Sequence, residues 1–371
     1  MFLYLHLKYC MITKKLRSPK APSTPKKPRV PKDLSPRFGI GEWFGKSVTL
    51  MTGAERRAMA AEVLKPKSER TKQPCPFQAT KEDATCSKEG GVCSLRMYSY
   101  GKHAATERAM GIPVTGAQGA LRATCPYRFH EAKEVFNWVG KVILEDETPH
   151  LVGEVGFLEA GATTDAPGGD DVGRIDMVLV SSNTAEAAKI EWGALEIQAV
   201  YFSGDAMRSE FKAYADESCD WVIFPAGKRR PDYRSSGPKR LMPQLQIKVP
   251  TLRRWGRKMA VVVDQSFFDS IGEMDHVQHL SNSDIAWFTV GFEEVENSQQ
   301  MRLITREVRY TTLERAVEGL TGGKAVALPV FEDRIKNKIK HPEPPSPVEA
   351  TVIPSGDTTE SDAEDSEEND A

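Results

Sequence analysis

Gly193-Ala194-Leu195-Glu196-Ile197-Gln198-Ala199-Val200 sets a carboxylate and an amide into an otherwise apolar run that ends at Ser203-Gly204-Asp205. The apolar and β-branched residues predict a strand. Alternation then points Glu196 and Gln198 to one face and Leu195, Ile197 and Ala199 to the other. About twenty residues upstream, Arg174-Ile175-Asp176-Met177-Val178-Leu179-Val180 predicts a second strand with one acid in an apolar run. Neighbouring strands carrying Asp176 and Glu196-x-Gln198 can bring three oxygen-bearing groups to one point. A hard divalent cation such as Mg²⁺ takes such oxygens at about 2.0–2.1 Å, with positions left for water and a phosphate. Alternation alone equally describes the wetted face of a half-buried sheet. Isolated acids inside covered strands, by contrast, need a partner or a cation.

The chain has 371 residues, 40% hydrophobic and 27% charged, with a net charge of −2. That allows one large domain or two ordinary ones. No apolar run reaches the roughly 20 residues of a membrane span. The apolar start is too short for a signal peptide and is followed by lysines, so a cytoplasmic protein is expected, with Met11 as an alternative initiator. Residues 1–37 carry ten Lys or Arg against Asp33 alone and are rich in proline, which predicts a disordered basic arm. Residues 336–371 read as a Pro-rich linker and disordered tail, with eight acids and no base in 355–371.

Four of the six cysteines, Cys75, Cys86, Cys93 and Cys125, fall in the region 38–130. Disulfides are disfavoured in a reducing compartment, so the cluster reads first as a metal site, with unrelated buried thiols as the alternative. Four thiolates suit tetrahedral Zn²⁺ or a single iron in a structural role.

Residues 228–258 hold eleven Lys or Arg against Asp232. A solvated surface would look the same, but a phosphodiester enzyme needs a positive wall beside its metal pocket. Lys228, Arg229, Arg230, Arg234, Arg253, Arg254 and Arg257 are the candidate DNA contacts. Between these landmarks the pattern predicts a helix over 131–145 and strands over 151–160, around Asp176 and around Glu196. A loop over 166–171 separates the first two of these strands. A helix over 206–215, strands over 221–224, 259–263 and 285–292, and a helix over 311–319 follow. This is an α/β core with a mixed sheet.

Helix, then strands bearing Asp and Glu-x-(Lys or Gln), then helix resembles the PD-(D/E)xK nuclease core. Trp43-Phe44-Gly45, Cys75-Pro76-Phe77, Gly91-Val92-Cys93, Cys125-Pro126-Tyr127-Arg128, the Gly193–Gln198 strand and Phe202-Ser203-Gly204 occur in the order seen in NotI-type restriction endonucleases, from about residue 42 to about 300. The resemblance implies a mixed sheet flanked by helices over 131–335, beside a small four-cysteine metal-binding subdomain over 38–130. It implies Mg²⁺ on Asp176 and Glu196, Gln198 in place of the usual lysine, Glu154 in the same site, and iron or zinc on the four cysteines. The activity implied is that of a type II restriction enzyme: a homodimer cutting a GC-containing palindrome in double-stranded DNA, with a cognate methyltransferase as genetic partner and no membrane. Alternatives are a modification-dependent or repair nuclease of the same core, or a DNA-binding protein with a four-cysteine metal site that does not cleave.

Overall fold

A computed structural model describes residues 33–78, 84–161, 170–185, 189–216, 219–322 and 326–340. Most of the expected basic arm (1–32), the residues after 340 and residues 166–169 of the expected loop lie outside them, while residues 170 and 171 of that loop open a strand. The chain opens on an antiparallel sheet. Strands β1 (Arg37–Trp43), β2 (Lys46–Ser47), β3 (Val92–Lys102), β4 (Ala109–Pro113) and β5 (Arg122–Ala123) pair in the order β2-β1-β3-β4, with β5 also on β3. Helix α1 (Gly53–Leu64) starts on a capping box, in which Thr52 and Glu55 each satisfy the other's backbone N–H. It packs with α4 (Arg208–Tyr214) over Phe38, Ile40, Trp43 and Leu95, and the Trp43 ring stacks on Phe211 at 5.3 Å. Gly91 (φ +67°) sits where a Cβ would lie 2.2 Å from the Phe44 ring, so only glycine allows this close approach.

After the short α2 (Gly116–Gly119) come α3 (Glu134–Leu144), β6 (His150–Val152), the hairpin β7 (Val155–Ala160) and β8 (Asp170–Ile175), β9 (Met177–Val180) and β10 (Trp192–Gln198). Strands β11 (Phe202–Gly204) and β12 (Arg229–Pro231) form a second two-stranded sheet around α4. Then follow α5 (Tyr233–Ser236), α6 (Met242–Arg254), β13 (Met259–Asp264), α7 (Gln265–Ser270), β14 (Ile285–Glu294), β15 (Met301–Thr311), α8 (Leu313–Thr321) and α9 (Leu328–Lys340).

Six of these strands form a mixed sheet in the order β15-β14-β13-β10-β9-β6. Strand β13 runs parallel to both β10 and β14, while β9 is antiparallel to β10. Helices cover both faces, which is why β13 is apolar from Met259 to Val263 rather than alternating. One face, with Ala194, Val261, Val263 and Trp287, packs on Leu245, Val249 and Leu252 of α6 and Ala316 and Leu320 of α8. The other, with Leu195, Ile197, Ala260 and Phe288, packs on Val135, Phe136 and Val139 of α3. By strand parity Glu196 falls on the α6 face.

The α/β class and mixed sheet agree with the sequence reading, and α3, β10, β13, β14 and α8 lie where periodicity placed them. Trp221–Phe224 does not form the expected strand. Trp221, Ile223 and Phe224 are buried, but the pairing of this segment is a single bridge, Ile223 to Met110. Arg37, the last residue of the expected arm, opens β1, because its guanidinium is anchored on the carbonyls of Asp33, Pro225 and Ala226. Residues 336–340, expected as linker, are helical in α9, where Leu328, Phe331, Ile335 and Ile339 recur at helical spacing. The chain divides into Met1–Gly323 and Lys324–Ala371, and α9 lies in the second unit.

Arg128 connects the two main sheets. It is fully buried, and its Nε donates to both oxygens of the equally buried Glu42 of β1, at 3.0 and 2.9 Å. Nη1 pairs with Glu131, and Nη2 donates to the Met301 carbonyl of β15 at 3.0 Å. The guanidinium also lies 4.5 Å from the ring centres of both Phe77 and Phe292. Removing one member of a buried ion pair leaves the other charge without a partner. Arg128→Met is therefore expected to cost about 3–5 kcal/mol in urea unfolding, with part recovered by adding Glu42→Gln. A loss below about 1 kcal/mol would show that the pair does not hold the sheets together.

Candidate active site

The structure brings Asp176 and Glu196 together. Asp176 sits at the junction of β8 and β9, and Glu196 lies in the middle of β10, which pairs with β9. Their carboxylates converge on one ammonium: Lys248 Nζ is 2.9 Å from Glu196 Oε2 and 3.4 Å from Asp176 Oδ1. The two acids differ in access, since the Asp176 side chain is 53% exposed and that of Glu196 is 9% exposed. Burial pushes the Glu196 carboxyl up to about 7. The Asp176 charge adds to the rise and Lys248 opposes it. A half-exposed and a buried carboxylate sharing one point of positive charge are chemically suited to a hard cation.

Lys248 is the residue that the sequence reading counts only as one base among eleven. Its signal is its spacing: Leu245, Lys248, Val249 and Leu252 form an i, i+3, i+4, i+7 stripe, all buried on α6.

Gln198 lies half-buried at the end of β10, two residues past Glu196, and its Nε2 donates to the Ala199 carbonyl at 2.6 Å. Glu154 is elsewhere engaged, in an exposed pair with Arg174 at 3.1 Å. Among the described residues no three His, Cys, Asp or Glu side chains are gathered as a metal-holding group. The expected Asp176, Glu196 and Glu154 trio is thus a close pair plus a carboxylate held by a surface arginine.

The cysteines arrive as two pairs. Cys75 and Cys86 are joined through a bridge in which each backbone N–H donates across at 2.8 Å, Cys75 to Ala84 and Cys86 to Gln73. Cys93 on β3 and Cys125 just beyond β5 are linked by the Thr124 N–H donating to the Cys93 carbonyl at 2.9 Å. Cys86 lies within electrostatic reach of Cys75 and Cys125, and Cys93 of Cys125 and Cys86. Burial pushes the thiols of Cys86, Cys93 and Cys125 above the usual range. Thiols so placed become thiolates only if a cation compensates them.

The basic segment divides by burial. Arg229 is a correction: it is buried, with Nη1 and Nη2 each 2.7 Å from a Glu210 oxygen, so it ties β12 to α4 and faces no solvent. Arg253 pairs with Asp284 and Glu314, and Arg257 with Glu191, while Lys228 meets Asp33 at 2.8 Å. Arg230, Arg234, Lys239, Arg240 and Arg254 are exposed. Their segment is fastened to the exit of β10. Tyr201 N–H donates to Ser236 Oγ (2.9 Å), Asp232 N–H donates to the Tyr201 carbonyl (2.7 Å), and Arg240 lies 4.7 Å over the Tyr201 ring.

The raised Glu196 fixes the sign of a pH effect. An acid whose folded pKa lies above its unfolded value contributes most at low pH, and the contribution is lost as pH rises through the folded value. The metal-free protein should lose thermal stability between about pH 4.5 and 7, and Glu196→Gln should flatten that slope. Equal slopes in the two proteins would remove Glu196 as the cause.

No helix among the described residues is long and apolar enough to cross a membrane. A comparison with curated proteins yields no match. The family model for the restriction endonuclease NotI matches residues 59–303, which takes in the cysteine pairs, the Asp176–Glu196 pair and the basic segment. The chain therefore belongs to the NotI restriction endonuclease family, type II enzymes that cut DNA at specific sites.

Proposed function

We propose that the chain hydrolyses phosphodiester bonds of double-stranded DNA on a PD-(D/E)xK core, with Mg²⁺ held by Asp176 and Glu196. The observation that carries this reading is the convergence of the two carboxylates on one positive point, 2.9 and 3.4 Å from a buried ammonium. When bound, Mg²⁺ supplies charge to stabilise the phosphate and a water of lowered pKa. Glu196 gives the site a buried anchor, and Asp176 gives it a ligand open to the substrate side. The Gln198 amide donates through Nε2 to the Ala199 carbonyl, and its Oε1 would accept a hydrogen bond from the attacking water and orient it. The water oxygen bonds to phosphorus as the bond to the leaving sugar oxygen breaks; one proton leaves the water and one is taken up by the leaving oxygen. The exposed Arg230, Arg234, Lys239 and Arg240, fastened to the exit of β10, hold the backbone beside this point.

A two-fold homodimer would set one such site on each strand of a GC-containing palindrome, and a cognate methyltransferase would protect the same sequence in the cytoplasm. The two cysteine pairs would draw together on a structural iron or zinc, clamping the ends of β3 and β5 to the bridge at Cys75 and Cys86.

Purified protein with Mg²⁺ and unmethylated GC-rich DNA should give discrete fragments. Asp176→Asn should slow cleavage at least about 100-fold while DNA binding persists. A wild-type protein that leaves a large DNA panel uncut, or cuts only methylated copies, would overturn the restriction reading. Elemental analysis should find one iron or zinc per chain, and its removal should lower the melting temperature. A metal-free protein of unchanged melting temperature would sink the clamp.

A further inference from the structure

The buried face of α6 carries one charge, Lys248, which is 2% exposed between Leu245, Val249 and Leu252, and one hydroxyl, Thr251. Burying an ammonium costs several kcal/mol unless charges meet it. A methionine at 248 would complete the stripe without that cost, so packing does not require the lysine. Its stem reaches across the sheet face to the two carboxylates, whereas β10 itself offers at that edge only the neutral Gln198. The positive charge of this site therefore comes from a helix and not from the strand that bears the acid.

We propose that Lys248 is a catalytic residue, the fixed positive charge that faces the scissile phosphate, and this rests on the hydrolytic reading of the Asp176–Glu196 pair. In the free protein its ammonium holds the two carboxylates toward one point. Once they serve as metal ligands, Lys248 loses its acceptors, and its flexible four-carbon stem lets the head turn to the anion that the substrate brings. Lys248 acts by charge and hydrogen bonding. It donates hydrogen bonds to the phosphate oxygens as charge builds on them, and no proton is transferred.

Lys248→Met and Lys248→Gln in the full chain test this. Methionine keeps the volume of the stem, and glutamine keeps a donor toward Glu196, so a folding failure of one leaves the other. Two quantities are read: Mn²⁺ binding to the DNA-free protein by electron paramagnetic resonance, and single-turnover cleavage with Mg²⁺. The expected result is Mn²⁺ binding as tight as in the wild type or tighter, because a competing cation is gone, with cleavage slowed at least about 100-fold. Cleavage near the wild-type rate overturns the proposal. So does a loss of cleavage accompanied by weaker Mn²⁺ binding, which would make Lys248 a brace for the acids and nothing more. A wild-type protein that cuts no DNA would instead overturn the nuclease reading, while the Mn²⁺ titration would still report on Lys248.

Discussion

The Arg128 guanidinium is the contact on which the rest of this architecture depends. A fully buried cation is unfavourable unless its donors and its charge are met, and every direction around Arg128 is met by a different part of the chain. Glu42 comes from the first sheet, Glu131 from the turn before α3, and the Met301 carbonyl from the edge of the second sheet. Two rings, Phe77 beside the first cysteine pair and Phe292 on β14, lie against its faces. The region carrying the cysteines and the sheet carrying the carboxylates are therefore fixed to one another through a side chain three residues beyond Cys125.

Lys248 repeats the same physics with the opposite balance. Arg128 is enclosed by groups that neutralise it completely, and its planar fork leaves nothing to rearrange. Lys248 meets one buried and one half-exposed carboxylate through a flexible stem, so its interactions can be exchanged. The chain thus uses the residue with fixed geometry where rigidity is needed and the adaptable one where chemistry is expected. Glu210 and Arg229, joined by two hydrogen bonds between α4 and β12, share this fixed fork geometry, although the Arg229 Nε is buried without a partner.

How much of this was legible in sequence follows from where polar residues meet burial. Asp176 and Glu196 stand out because each interrupts a covered strand, and β13, β14 and α3 follow from continuous or periodic apolar runs. Lys248 did not stand out, and Arg229 read as a DNA contact, because both sit among nine other bases. Local charge density reads as surface, and only the spacing of Leu245, Val249 and Leu252, or the distant Glu210, places them inside. The first sheet was hidden for another reason: β1 is Gly-rich and buried throughout, so it lacks the alternation that marks a strand. Glu154 was placed by the resemblance alone, and a local match does not specify which partner its carboxylate meets in space.

The reach of Arg128 also bears on timing. Its bond to the Met301 carbonyl spans 173 positions, and β15 is the last strand of the sheet that carries the acids. During synthesis from the N-terminus, Arg128 and Glu42 emerge long before Met301 does. Until β15 arrives, one donor of the buried guanidinium has no acceptor and the edge of the second sheet is open. The carboxylate pair is thus assembled on a finished scaffold only near the end of translation. For an enzyme that cuts DNA at specific sites, the scaffold of the carboxylate pair is thereby completed only after most of the chain has been made.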